Sequence, residues 1–404
     1  MPPLPPSALQ ILHTLESAGF KAFVVGGCVR DMLRGITPKD WDITTSALPA
    51  QVKILFPRTF DTGIDHGTVT VVQNRQPFEV TTYRIDGTYT DARRPDSVAF
   101  TTHIEEDLSR RDFTMNAIAY NPASGFADPF NGRADIERHI IRAVGNPTLR
   151  FGEDALRMLR AIRFAATLGF AIEGETLAAI GKQSSNLANI SAERIRQEFT
   201  RLLCGAYPAA FALLFDTGLM PYILQGIPYP GDTALTQSRL NKLLLKTSAD
   251  SNPHLPLAIF FAPFDNPALL LRAMRYDNKT VQAVTLYTQL LPHPIPNDRY
   301  EIKKTLRQMP PKSALAFFEN LLMLQEVIGI SDAMHLTALH QIAHDIHDKN
   351  ECYHIKGLAL NGNDLIARGI PAGKETGAAL ERLLNIVMRN PAKNQRDILF
   401  LEKY

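Results

Sequence analysis

Cysteine is scarce: three residues in 404, Cys28, Cys204 and Cys352, odd in number and far apart. That excludes a disulfide framework and a closely spaced zinc site, and it fits a reducing compartment. Long apolar runs are missing too. No stretch approaches the roughly 20 uninterrupted apolar residues of a membrane helix, and the opening Met1-Pro2-Pro3-Leu4-Pro5-Pro6 has neither the basic region nor the apolar core of a secretion signal. A cytoplasmic protein with no membrane association is expected. Charge of one sign is also lacking, since 43 Lys and Arg stand against 41 Asp and Glu for a net +2. The total therefore neither demands nor forbids a polyanionic partner. No internal repeat and no low-complexity segment divides the chain, which is long enough for one large or several modest domains.

What is present is unevenly placed. Arginines gather between Tyr83 and Arg111 and again between Arg150 and Arg163, and local cation density, not the whole-chain total, is what phosphate binding needs. Along the first ~150 residues the pattern is mixed. Ser7 is positioned to cap a helix carrying Leu9, Leu12 and Leu15 and stopped by Gly19; Phe23-Val24-Val25 reads as a strand. A brief helix over 29–33 follows, then β-branched segments at 40–44, 68–72 and 78–83. From Phe151 onward helical periodicity takes over, with soft boundaries near 225 and 295 where Pro and Gly cluster. The expected class is α+β: an N-terminal head with a small mixed sheet, then all-helical segments.

Three constellations carry chemistry. In the first, Gly26-Gly27-Cys28-Val29-Arg30-Asp31 precedes Asp40-Trp41-Asp42. Two glycines between a strand and a helix let backbone N–H groups approach a phosphate, and Arg30 can clasp the same group. Residues two apart on a strand share a face, so Asp40 and Asp42 would stand side by side; such like charges are costly unless a cation lies between them, and Mg²⁺ takes one or two carboxylates plus phosphate oxygens. Glu79, on a later strand, is a candidate third carboxylate for metal-assisted nucleotidyl transfer. In the second, Arg84, Arg93 and Arg94 lie in a Gly- and Pro-containing segment expected to be a mobile loop. It leads to Asp107-Leu108-Ser109-Arg110-Arg111-Asp112, where Asp107 or Ser109 could cap a helix bringing Arg110, Arg111 and Asn116 toward a triphosphate. In the third, Asp154 is followed at helical spacing by Arg157, Arg160 and Arg163, with Ala155, Leu159, Ile162 and Ala166 as the apolar stripe. Intrahelical pairing of Asp154 with Arg157 is the plainer reading of that spacing.

Together these residues resemble the class II tRNA nucleotidyltransferases, the CCA-adding enzymes, of the superfamily that also holds bacterial poly(A) polymerases. The Gly26-Gly27, Arg30, Asp40 and Asp42 set is similar to the family's metal motif, and 110–117 to its ribose and phosphate motif. Asp128 to Gly132 resembles the segment joining head and neck. Glu153 to Arg157 resembles the amino-acid template that reads the incoming base, and Ser191 to Glu198 the motif that braces it, with Glu193 and Arg194 as contributors. The likeness covers roughly the first 205 residues and thins beyond them. It implies a seahorse-like head (1–148), neck (149–225), body (226–295) and tail (296–404). It also implies Mg²⁺ as cofactor, ATP and CTP as substrates, and tRNA held at its 3′ end and elbow. Gly27, Arg30, Arg111, Asn116, Asp154, Arg157, Arg160 and Arg163 become the nucleotide-binding set. The template role has a chemical basis. Cytosine and adenine both present an amino donor beside a ring-nitrogen acceptor, so an Asp154 acceptor and an Arg157 donor would select them over guanine and uracil.

Rival readings are a poly(A) polymerase, a partial CC- or A-adding enzyme, and a non-catalytic RNA-binding protein; intact Asp40 and Asp42 oppose the last. The apparent full length of 84–96 favours complete CCA addition. His335, His340, His344, Asp345, His347 and Asp348 raise a metal-dependent phosphohydrolase, with exposed polar residues of a surface helix as the simpler explanation. Monomer and homodimer are both open.

Overall fold

The computed structural model describes residues 2–87, 97–247 and 252–402. The chain forms two compact units. The first comprises Met1–Gln237 with Ala273–Tyr276, the second Ser238–Arg272 with Asp277–Tyr404.

The first unit starts with α1 (Pro6–Ser17). Pro6 at its first position presets the helical φ, so Pro5 is the cap and Ser7 lies inside the helix, where its hydroxyl accepts from Asn74 at 3.1 Å. The buried stripe is accordingly Ala8, Ile11, Leu12 and Leu15, and Leu9 points outward. Next come β1 (Ala22–Val25), α2 (Gly27–Leu33), β2 (Asp42–Thr45), α3 (Pro49–Leu55), β3 (Thr59–Gly63), β4 (Thr68–Gln73) and β5 (Gln76–Thr82). With β8 (Ala119–Asn121) and β9 (Gly125–Ala127) these make a seven-stranded sheet of order β3-β4-β5-β2-β1-β8-β9. It is mixed, because β2 and β5 run parallel while the other neighbours run antiparallel. The short β6 (Arg84–Asp86) and β7 (Val98–Phe100) pair separately. Arg93 and Arg94 lie outside the described residues.

After β9 the unit becomes mostly helical, with one short parallel pair of Ile140–Ile141 and Ala171–Ile172. α4 (Ile104–Ser109) precedes β8; α5 (Gly132–Glu137), α6 (Pro147–Glu153), α7 (Leu156–Leu168), α8 (Gly174–Gln183) and α9 (Ala192–Leu203) follow β9. The predicted stripe Ala155, Leu159, Ile162 and Ala166 is fully buried along α7. The second unit is made of helices alone among its described residues. The architecture is thus α+β, a mixed-sheet head followed by helices, and among the described residues no helix is long and apolar enough to cross a membrane.

Candidate active site

β1 ends where Gly26 turns the chain at φ 82°, ψ −130°, a conformation open to glycine and strained for other residues. The ladder to β2 therefore stops at Val24↔Ile43, and β2 begins only at Asp42. Asp40 lies before the strand, not on it, because β1 has already left the sheet and offers no partner there. The face that does form is set by β5: Asp42 and Glu79 are direct partners in the parallel register, so their side chains leave the same face of the sheet. Asp42 is open to solvent on one side and crowded on the other. Its carboxyl is held above the ordinary carboxylate range, first by loss of water around it and further by the charges of Glu79 and Asp40, with the Arg111 guanidinium opposing.

Arg111 lies over the glycine turn. A Cβ on Gly26 would meet its Nη1 at 2.8 Å, so the bare backbone is what lets the guanidinium sit there. Arg111 does not ride on a helix begun by Asp107 or Ser109, as its sequence suggests. α4 starts earlier, at Ile104, and the turn ends at Ser109 because fully buried Asp107 faces inward, taking both Arg110 (2.7 Å) and Arg111 (3.4 Å). Burial alone would raise the Asp107 carboxyl, but Arg110 and then Arg111 hold it low. Beside the glycine turn, the Cys28 thiol donates to the Val25 carbonyl at 3.3 Å, and burial pushes it up to about 11, which leaves no reactive thiolate.

A separate continuous chain of polar contacts starts on the helix that follows the glycine turn. Arg30, on α2 one turn beyond Gly27, bonds Asp31 and donates to the Asn116 side-chain Oδ1 at 2.8 Å. Asn116 donates to Asp112 at 3.1 Å; Asp112 pairs with Arg160 at 2.6 Å; Arg160 reaches Glu198 at 3.5 Å, and Glu198 accepts from Arg163 at 2.8 Å. The Asp112 carboxyl, which burial would raise, is held down at about 2 by Arg160 and Asn116. Phe164 is the apolar pivot: the guanidiniums of Arg30, Arg160 and Arg163 lie 5.3, 5.4 and 3.5 Å from its ring centre. Arg160 and Arg163 are thus committed to carboxylates.

The third constellation is not one helix. α6 stops at Glu153, Asp154 takes extended backbone (φ −144°, ψ 102°), and α7 starts at Leu156. The Asp154 side chain caps the new turn by accepting from the Leu156 N–H at 3.1 Å, as aspartate does at helix starts. Its ion partner is Arg194 on α9, at 2.7 Å and 3.3 Å to the two oxygens, and not Arg157. Arg157 instead pairs with Glu153 at 2.6 Å and donates to the carbonyls of Arg110 at 2.9 Å and Arg150 at 3.1 Å. Those three bonds leave its Nε–H and one Nη2–H uncommitted to them.

Comparison with known proteins agrees with this geometry. Residues 22–142 match the Poly A polymerase head domain, and 257–402 match tRNA nucleotidyltransferase domain 2. The chain is 38% identical over 394 residues to the CCA-adding enzyme of Lacticaseibacillus paracasei, covering 96% of this chain and 93% of that protein. It is also 38% identical to the CCA-adding enzyme of Geobacillus kaustophilus, covering 97% and 95%. The solved CCA-adding enzyme of Bacillus stearothermophilus in complex with CTP is similar at a TM-score of 0.84 and 33% identity, over 98% of this chain and 96% of that one. The chain belongs to the CCA-adding enzymes. It is therefore a tRNA nucleotidyltransferase, and the family's chemistry takes a divalent metal.

Of the two residues expected to brace the template helix of this CCA-adding enzyme, Arg194 pairs with Asp154. Glu193 does not: it is half-exposed and lies 3.8 Å from Arg275, while Glu198, one turn beyond Arg194, faces Arg160 and Arg163. Asp112 and Glu198 lie within segments 110–117 and 191–198, and their only sequence signal is a carboxylate within an arginine cluster. Asp128 accepts from the N–H groups of Gly132 (2.6 Å) and Arg133 (3.0 Å), which starts α5.

Proposed function

We propose that this CCA-adding enzyme completes the CCA end of tRNA from CTP and ATP without a nucleic-acid template, by Mg²⁺-dependent nucleotidyl transfer. The observation that carries the reading is the conjunction, in one compact unit, of the Asp42–Glu79 face under Arg111 and the Asp154–Arg194 clamp. The first suits a triphosphate and a metal, the second a base edge.

The crowding of Asp42 by Glu79 and Asp40 is the strain a divalent cation relieves, so these donors fit such an ion. Asp40 and Asp42 are the pair we assign to hold it, with Glu79 as the third catalytic carboxylate. A metal bound there would neutralise phosphate charge and make the 3′-hydroxyl of tRNA a better nucleophile. The 3′-oxygen gives up its proton to solvent and bonds to the α-phosphorus of the incoming nucleotide as the bond to the bridging oxygen of the β-phosphate breaks, and pyrophosphate leaves. Gly27, Arg30, Arg111 and Asn116 orient the triphosphate and ribose. Asp154 accepts from the amino group of C or A, and Arg157 offers an N–H to the ring nitrogen beside it. Arg194 fixes the direction of Asp154, while Arg160 and Arg163 hold the helix that presents the pair. We assign residues 1–148 as head, 149–225 as neck, 226–295 as body and 296–404 as tail, the tail holding the tRNA elbow, with the cytoplasm as the compartment.

The reading is tested by incubating the full chain with Mg²⁺, labelled CTP or ATP, and tRNAs ending before C, after C and after CC. Products that stop at CCA are expected from every substrate. Stopping at CC, adding A alone, or extending a homopolymer of A would replace the reading with a partial enzyme or a poly(A) polymerase.

A further inference from the structure

A cluster of three ligand-type side chains, Glu319, His340 and His344, stands far along the chain from the nucleotide chemistry, on two helices of the second unit. The Ala314–Ile328 and Ala333–Asp348 helices form a hairpin turned by Gly329 at φ 79°, and Asp332 starts the second helix by accepting from the His335 N–H at 2.8 Å. Phe318, Leu321 and Leu322 of the first helix and Leu336, Leu339 and Ala343 of the second are buried. His340 and His344 follow Leu339 and Ala343 directly, so they flank the buried stripe one turn apart. Glu319 follows buried Phe318 in the same way. Burial of the neighbours therefore fixes where these three polar side chains stand.

Both imidazoles aim one nitrogen at a single carboxylate oxygen. Nε2 of His344 lies 2.8 Å and Nε2 of His340 3.3 Å from Oε1 of Glu319, and the two rings are 4.3 Å apart. Among the described residues this is the one group of three ligand-type side chains with its atoms all within 4.8 Å of one another. Zinc–nitrogen bonds of about 2.0–2.1 Å place tetrahedral ligand atoms about 3.3 Å apart. The His340 separation is already that length, and the His344 separation opens to it by about half an ångström of side-chain rotation. All three side chains are between a third and a half exposed, which leaves entry and further coordination positions to water. We propose that Glu319, His340 and His344 bind a divalent transition metal of the zinc class and pin the two helices together. Two neutral imidazoles and one carboxylate suit Zn²⁺, Co²⁺, Ni²⁺ or Cu²⁺; Mg²⁺, which takes oxygen ligands, is a poor competitor.

The test uses the full chain with Zn²⁺ and Co²⁺ in millimolar Mg²⁺, and compares wild type with Glu319→Gln, His340→Gln, His344→Gln and the double histidine variant. These positions are solvent-facing, so the variants should keep the wild-type circular dichroism. Wild type is expected to bind one more Zn²⁺ than the double variant, to show visible Co²⁺ absorption of a nitrogen-ligated site, and to gain Tm on Zn²⁺ addition. Each single variant should weaken Zn²⁺ at least about tenfold. An Asp42→Asn chain should keep the Co²⁺ bands, which separates this site from the head. Equal Zn²⁺ stoichiometry and affinity in wild type and the double variant would overturn the proposal, as would full displacement by millimolar Mg²⁺.

Discussion

Asp42 and Asp112 are both aspartates in arginine-rich surroundings, and the structure gives them opposite characters. Asp42 is raised, so its ionised form is a cost to the metal-free fold at every pH above its folded pKa. Asp42→Asn should therefore leave the Tm in a chelator unchanged or higher, while C and A addition both disappear and tRNA binding remains. A fall in Tm together with retained turnover would contradict the assignment. Asp112, held at about 2, behaves the other way. Its contribution is complete above the unfolded value near 3.8 and is lost as pH falls toward 2. Asp112→Asn should cost stability at neutral pH, toward the lower end of the roughly 3–5 kcal/mol for breaking a buried pair. The low end applies because Arg160 keeps Glu198 and some contact with water. Urea denaturation checks this, and the cost should vanish in acid. Neither character was legible in the sequence: both residues were visible as acids near arginines, but burial and register decide which arginine answers which acid.

At the scale of elements, the pattern of 3.6-residue and two-residue periods located α7, β4 and β5 well, because each buries a regular stripe, and β1 showed as a short apolar run. It failed where an element ends for a non-local reason. β2 starts at Asp42 because β1 turns away at Gly26. The 147–168 segment breaks at Asp154 because the side chain caps a new helix and is drawn to Arg194. A helical wheel cannot show either. The start of α5 offers a sharp test. A Cβ on Gly132 would lie 2.1 Å from the Thr114 carbonyl oxygen, a backbone atom in the same turn as Asn116. Gly132→Ala should destabilise by about 2–3 kcal/mol and slow addition of both nucleotides by displacing that turn. Gly152→Ala is the control: nothing lies within 4 Å of its Cβ, it sits in α6, and it should be neutral or stabilising by up to about 1 kcal/mol. Equal effects of the two substitutions in thermal denaturation would show that the close approach at Gly132 carries no weight.

Over the whole molecule, the head was the legible part, since its chemistry needs particular residues at particular spacings. The helical remainder offered only periodicity, and its proposed boundary near 295 is crossed by hydrogen bonds from Gln325 to the His293 carbonyl and between His335 and the Ile295 carbonyl, both 2.8 Å. Truncation after Pro296 would cut through the second unit, so tRNA affinity is better probed in the full chain. It should fall steeply with salt, as expected for phosphate contacts; an affinity flat across ionic strength would count against backbone binding. The central claim is that the protein itself chooses the base. Single-turnover incorporation of all four nucleoside triphosphates onto tRNA ending in CC tests it most directly, in wild type, Asp154→Ala and Arg194→Ala. Asp154→Ala should lose preference for C and A over U and G by about tenfold or more. Arg194→Ala should relax it in the same direction to a lesser degree, with triphosphate and metal chemistry retained in both. Wild-type preference in Asp154→Ala would show that this helix junction is scaffold and that the base is read elsewhere.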